Sequence, residues 1–225
     1  MISQGELFLD CIFTDESTFQ LGCSTHYNYY EEGNEKARLR SRAKHSAKLH
    51  VWGGISSRGT TDIAIFNGKV RMDSKIYCDI LEECYLGFSN RVFNGKARLV
   101  QDNAPSHKSA YTLKRLDQWG VEAINWPAES PDLNPIELVW GSMKSHMRRV
   151  NPRTIADLES EIRTYWKEMT PEICRRYIDG IQWRMPLVVA ADGGNIIERN
   201  PQGKTRTQKT VEESDDDSDD SDDWF

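Results

Sequence analysis

Three carboxylates in this chain sit in contexts that suit metal-assisted phosphoryl chemistry. Asp102 follows the apolar run Leu99-Val-Gln101 and precedes Asn-Ala-Pro-Ser-His107. Glu137 follows the turn Ser130-Pro-Asp-Leu-Asn-Pro-Ile136, and Asp15 ends Leu7-Phe-Leu-Asp-Cys-Ile-Phe-Thr14. Hard oxygen ligands bind Mg²⁺ while leaving coordination positions open for water and substrate oxygens. Two such ions about 3.5–4 Å apart can clamp both the attacking and the leaving oxygen of a displacement at phosphorus. Each acid also has a structural reading. Asp15 either continues an apolar row, where it needs a partner, or lies past the strand end in solvent. Asp102-Asn103 before Ala-Pro is ordinary turn chemistry. Asn134 as N-cap, Pro135 at N1 and Glu137 at N3 resemble a capping box.

Competing chemistries lack their spacing. His45 and His50 are five apart and Cys78 and Cys84 six apart, neither joined by a second pair at zinc-finger distance. No nucleophile elbow, phosphate-binding glycine loop or dinucleotide fingerprint is present. His107 reads as a surface or capping histidine close enough to Asp102 to stand behind it. Asp132 reads as a turn residue, and the seven tryptophans as core.

The elements that must position the acids follow from periodicity. Residues 6–20 read as a strand with Leu7, Leu9, Cys11 and Phe13 in one row. Leu49–Ser56 and Thr61–Phe66 read as a hairpin turned at Ser57-Arg-Gly59. Asp73 opens a helix with Ile76, Tyr77, Ile80, Leu81, Cys84 and Phe88 on one face. Ala97–Val100 forms the strand to Asp102, and Ser106 caps a helix through Trp119 with Ala110, Leu113 and Leu116 inward. Val121–Trp126 forms a further strand. After Asn134, Ile136, Val139, Trp140, Met143, Met147 and Val150 make one buried helical stripe. Two more helices run from Thr154 and from Thr170-Pro171 to about Trp183. Strands first, then alternating strand and helix, indicate an α/β fold with a mixed sheet between helices.

Charge points to a polyanionic partner. Lys36, Arg38, Arg40, Arg42, Lys44 and Lys48 form a basic arm without an acid, suited to phosphates or to a solvated edge. Beside the helical stripe run Glu137, Gly141, Lys144 and Arg148, a lane along which a polyanion could reach the acid. The net charge of −6 hides an asymmetry, because Glu212–Asp223 holds nine acids and no base. The preceding residues carry 29 basic against 26 acidic side chains. Residues 1–194 read as one domain, and 195–225 as a polar basic linker with an acidic Ser/Asp tail expected to be disordered. Ser214, Ser218 and Ser221 in that tail, each followed by acids, suit an acid-directed kinase. No apolar run approaches the roughly 18 residues of a membrane span, and the N-terminus lacks a signal peptide's pattern. Five scattered cysteines fit reduced, buried thiols better than a disulfide framework.

Taken together, Phe13-Thr-Asp-Glu-Ser-Thr18, Val51-Trp-Gly-Gly-Ile-Ser56, Val100-Gln-Asp-Asn-Ala-Pro-Ser-His107 and Trp126–Trp140 resemble the catalytic domain of the Tc/mariner superfamily of cut-and-paste DNA transposases. Asp102 and Glu137 are separated by 34 residues, and Glu as third acid matches the Tc-type branch. The resemblance covers roughly Leu7 to Gly194. It implies a ribonuclease-H-like fold with a five-stranded mixed sheet, Asp15 on the first strand, Asp102 ending the fourth and Glu137 on the helix after the fifth. It implies that these three acids hold two Mg²⁺ (or Mn²⁺) ions. The ions would serve a nick at each transposon end, then attack by the freed 3′-OH on target DNA, typically at a TA step. Double-stranded DNA is the implied partner, a homodimer the family's assembly and the nucleus the expected location. Met1 lies only 14 residues before Asp15. The family's helix-turn-helix modules are therefore expected to be absent, and end recognition to need another chain or domain. The alternative is a host-retained, non-catalytic remnant that binds DNA or chromatin through Lys36–Lys48.

Overall fold

Apolar residues that alternate onto both faces of a strand need cover on both sides, and β1 (Cys11–Gln20) has it. In the computed structural model, which describes residues 6–22, 47–124, 126 and 133–190, Ile12 and Phe13 enter separate cores. Trp52 and Val51 of β2 (Lys48–Ser56) divide the same way, as do Leu99 and Val100 of β5 (Arg98–Val100). Burial on both faces explains why these segments read as near-continuous apolar runs.

β1 pairs antiparallel with β2 and parallel with β5. β2 also carries β3 (Gly59–Thr60) and β4 (Ala64–Asn67), both antiparallel. The five-stranded mixed sheet thus runs β3-β2-β1-β5 with β4 beside β3 on β2. The hairpin's second strand is broken in two because the Thr61 hydroxyl accepts the Gly54 amide at 2.9 Å and interrupts the ladder. Among the described residues, the strand expected over Val121–Trp126 reduces to one parallel bridge, Leu99 to Ala123.

One face is covered by α1 (Ser74–Ile80), a π-helical segment Leu81–Leu86, α2 (Gly87–Phe93) and α4 (Ala110–Trp119), and the other by α5 (Pro135–Val150), α6 (Ile155–Lys167) and α7 (Pro171–Ala190). Asp73 caps α1 as its position predicts, accepting from the amides of Lys75 and Ile76. α6 opens with a full capping box between Thr154 and Asp157.

Several local expectations are corrected. Leu7 and Leu9 are exposed and Phe8 is buried instead, because Phe8 adopts a left-handed backbone (φ 51°) that turns the chain before β1 starts. Ser109, not Ser106, caps α4; Pro105–Lys108 forms a separate short helix, α3. That phase leaves Leu116 and Thr112 buried, but Ala110 and Leu113 outward. The α5 stripe is buried through Met147, while Val150 is exposed. Cys11, Cys78, Cys84 and Cys174 are reduced and buried. No described helix is long and apolar enough to cross a membrane. Cys23, most of the basic arm, Asp132, the boundary at 194 and the acidic tail lie outside the described residues.

Candidate active site

Parallel pairing of β5 with β1 sets Val100 opposite Phe13. Asp15 and Asp102 therefore each follow two residues further along neighbouring chains, which run roughly 4.8 Å apart in a sheet. Glu137 arrives from α5, which packs on β1; one turn later in the same helix, Trp140 Nε1 donates to Asp15 Oδ2 at 3.0 Å. All three acids line one open cleft of about 550 Å³.

The close approach of Trp140 depends on β2. Gly53 pairs with Asp15, and a Cβ there would meet the Trp166 ring at 2.8 Å and the Trp140 ring at 3.2 Å. The two indoles stack at 5.3 Å, nearly parallel (17°). The Trp-Gly-Gly run of β2 thus clears the space in which Asp15's hydrogen-bond donor sits.

Electrostatics tie the acids together. Loss of solvation, and then the charges of Glu16, Glu137 and Asp102, push the Asp15 carboxyl well above the usual carboxylate range. Asp102 goes the other way. Its burial works against ionisation, but the hydrogen bond and charge of His107 and the Ala104 amide outweigh this and hold it below the usual range. Among the described residues no three His, Cys, Asp or Glu side chains already stand as a metal-holding group.

The capping-box reading of Glu137 does not hold. Asn134 makes no side-chain cap, and its buried Oδ1 has no hydrogen-bond partner among the described residues. Glu137 is exposed toward the cleft. The surface reading of His107 does not hold either: it is 3% exposed, with Nδ1 2.6 Å from Asp102 Oδ1.

The expected basic contacts divide. Lys48 and Lys144 line the cleft with the acids, and Arg148 lines an adjoining cavity of about 300 Å³ that shares Thr18 and Lys144 with it. Lys36, Arg38, Arg40, Arg42 and Lys44 lie outside the described residues, as do Ser214, Ser218 and Ser221. Lys69 and Arg71, after β4, also line the cleft and were not expected, since no periodic pattern marks them. Glu16 was missed although it adjoins Asp15.

The pattern of the DDE superfamily endonuclease family matches residues 10–159. The chain is 26% identical over 195 residues to the Tcb2 transposase of Caenorhabditis briggsae, covering 81% of this chain and 68% of that protein. It is 27% identical to the Tc3 transposase of Caenorhabditis elegans, covering 82% of this chain but 57% of that one. Its fold matches the Mos1 paired end complex with Mg at a TM-score of 0.75 and 17% identity, covering 85% of this chain and 58% of that chain. The family pattern spans well over half of the sequence and includes all three acids, and the chain belongs to the DDE superfamily endonucleases, as a catalytic domain homologous to those of the Tc1/mariner transposases.

Proposed function

We propose that this domain cuts DNA phosphodiester bonds and joins a freed 3′ end to a second DNA, with Asp15, Asp102 and Glu137 holding two divalent cations, Mg²⁺ or Mn²⁺. The observation that carries the reading is that acids from three separate elements line one cleft, and the charges of two are felt at the third. The donor set fits such ions. Carboxylate oxygens are hard ligands, and burial with the charges of Glu16, Glu137 and Asp102 disfavours an ionised Asp15 that a cation in the cleft would stabilise. The Mos1 structure with Mg, a paired end complex, supports the metal, a double-stranded DNA substrate and a two-copy assembly. The nucleus is the location that goes with this substrate.

Bound there, the cations would activate a water or a 3′-hydroxyl for attack and stabilise the leaving 3′ oxygen. The chain's own residues prepare that site. Trp140 fixes the orientation of Asp15 through Oδ2. Ala104 N–H and His107 both hold Asp102 through Oδ1, which leaves Oδ2 for a ligand. Lys48, Lys69, Arg71 and Lys144 place positive charge around the acids, where phosphates would lie, and Arg148 extends that charge outward. The basic arm Lys36–Lys44 would add sequence-independent affinity.

The test is Mg²⁺-dependent nicking of supercoiled plasmid by the full chain and by Asp102→Ala. Loss of nicking in the variant is expected; equal nicking by both would remove the assignment.

A further inference from the structure

His107 is built into the molecule more firmly than a helix-end histidine requires. Its ring is 3% exposed and lies on Tyr77 with centroids 3.9 Å apart. Tyr77 is itself fully buried and donates its hydroxyl to Gln101 Oε1. On one side Nδ1 meets Asp102 Oδ1 at 2.6 Å; on the other, Nε2 lies 3.4 Å from Glu16 Oε1. That Glu16 oxygen is buried and makes no other polar contact among the described residues, so the imidazole Nε2 is the polar group it faces. Successive residues of a strand point to opposite faces. Asp15 accordingly turns to Trp140 on α5, and Glu16 turns to His107 on the α1 and α3 side.

We propose that Glu16 and His107 are positioning residues, a bridge from β1 to the segment after β5 that sets the Asp102 carboxylate for a divalent cation. The bridge divides the labour of two adjacent acids. Asp15 is a ligand, and Glu16 anchors the imidazole that orients another ligand. Groups standing behind a metal ligand fix its orientation and basicity, and their loss typically costs 10–100-fold in metal affinity or activity. The proposal rests on Asp102 being a ligand, so its test must separate the two claims.

The experiment is calorimetric titration of the full chain with Mn²⁺, for wild type, Asp102→Ala, Glu16→Gln, His107→Gln and the Glu16→Gln/His107→Gln double variant, each checked by thermal melting. Glu16→Gln and His107→Gln are each expected to raise the Mn²⁺ Kd roughly 10-fold. The double variant should be no weaker than His107→Gln alone, since both changes cut one bridge. A merely structural role would lower the melting temperature and leave the Kd of the folded protein unchanged. Unchanged Kd in both single variants, with Asp102→Ala impaired, overturns the bridge and leaves the metal reading standing. Additive losses in the double variant overturn it too, because Glu16 would then act on the cation independently. If wild type binds no Mn²⁺, the metal reading fails and the bridge with it. Should His107→Gln not fold, Glu16→Gln decides alone by whether its Kd moves.

Discussion

Replacing Gly53 by alanine tests whether the packing behind Asp15 is as tight as the structure makes it. The added Cβ would stand 2.8 Å from Cη2 and Cζ2 of Trp166 and 3.2 Å from Cη2 of Trp140. Neither indole can swing away cheaply. Trp166 is 4% exposed and donates to the Thr61 carbonyl at 2.8 Å; Trp140 is 1% exposed and is tied to Asp15. Overpacking of this kind costs about 1–3 kcal/mol, partly offset by roughly 0.5–1 kcal/mol from the reduced freedom of the unfolded chain. With ring atoms at 2.8 Å the upper part of that cost, about 2–3 kcal/mol, applies, and a net loss of about 1–2.5 kcal/mol is expected. Gly141→Ala is the matched control: it lies exposed in α5 with no atom within 4 Å of its added Cβ. It should gain about 0.5–1 kcal/mol from helix propensity. Urea unfolding followed by tryptophan fluorescence reads both. Nicking by Gly53→Ala should also fall, because the displaced Trp140 releases Asp15. A Gly53→Ala midpoint equal to or above that of wild type would refute the packing argument.

Four further outcomes are expected. Thr154→Ala breaks the α6 capping box and should cost about 1 kcal/mol by the same urea assay. Burial pushes the Cys11 and Cys174 thiols up to about 12 and Cys84 up to about 11, so in a Cys23→Ser background thiol labelling at pH 8 should proceed no faster than unfolding. The hydrogen bond and charge of Arg98 hold the half-exposed Asp10 carboxyl below its usual range. Its stabilisation is therefore present above the unfolded-state value of about 3.9 and lost as pH falls through the lower folded value; the deficit of Asp10→Asn, on the order of 0.5 kcal/mol at pH 7, should vanish in acid. Lys144→Gln should weaken DNA binding and reduce the log–log salt slope by about 0.9, as measured by fluorescence anisotropy across a salt series.

What was legible in the sequence is what local periodicity and caps determine. The α5 stripe as far as Met147, the helix starts at Asp73 and Thr154 and the strand leading to Asp102 depend on neighbours within a few residues, and the structure keeps them. Leu7 and Leu9 failed because the left-handed turn at Phe8 is fixed by packing: Phe8 sits edge-on to Phe13 and to the distant Trp126. Glu137 fitted a capping pattern that a nearby acid and an Asn satisfy on paper, yet Asn134 does not cap. The nearness of His107 to Asp102 was legible and the structure has the contact at 2.6 Å, but its burial was not. Its other partners are Tyr77, thirty residues before it, and Glu16 on the first strand, and no local pattern marks either contact. Gly53 falls in the strand expected over Leu49–Ser56, but only the indoles from α5 and α6 show why a side chain there is excluded. Lys69 and Arg71 line the cleft because they follow the end of β4, where Asn67 pairs with Leu49 and the Gly68 amide donates to the Lys48 carbonyl, a register set across the sheet rather than by local pattern.

The claim that Asp15, Asp102 and Glu137 jointly hold divalent cations is tested most directly by anomalous diffraction from crystals of the full chain soaked in Mn²⁺. The account predicts anomalous peaks inside the cleft, bonded to oxygens of all three side chains. Peaks that leave any of the three out of the coordination, or a cleft that stays empty at saturating Mn²⁺, would contradict it.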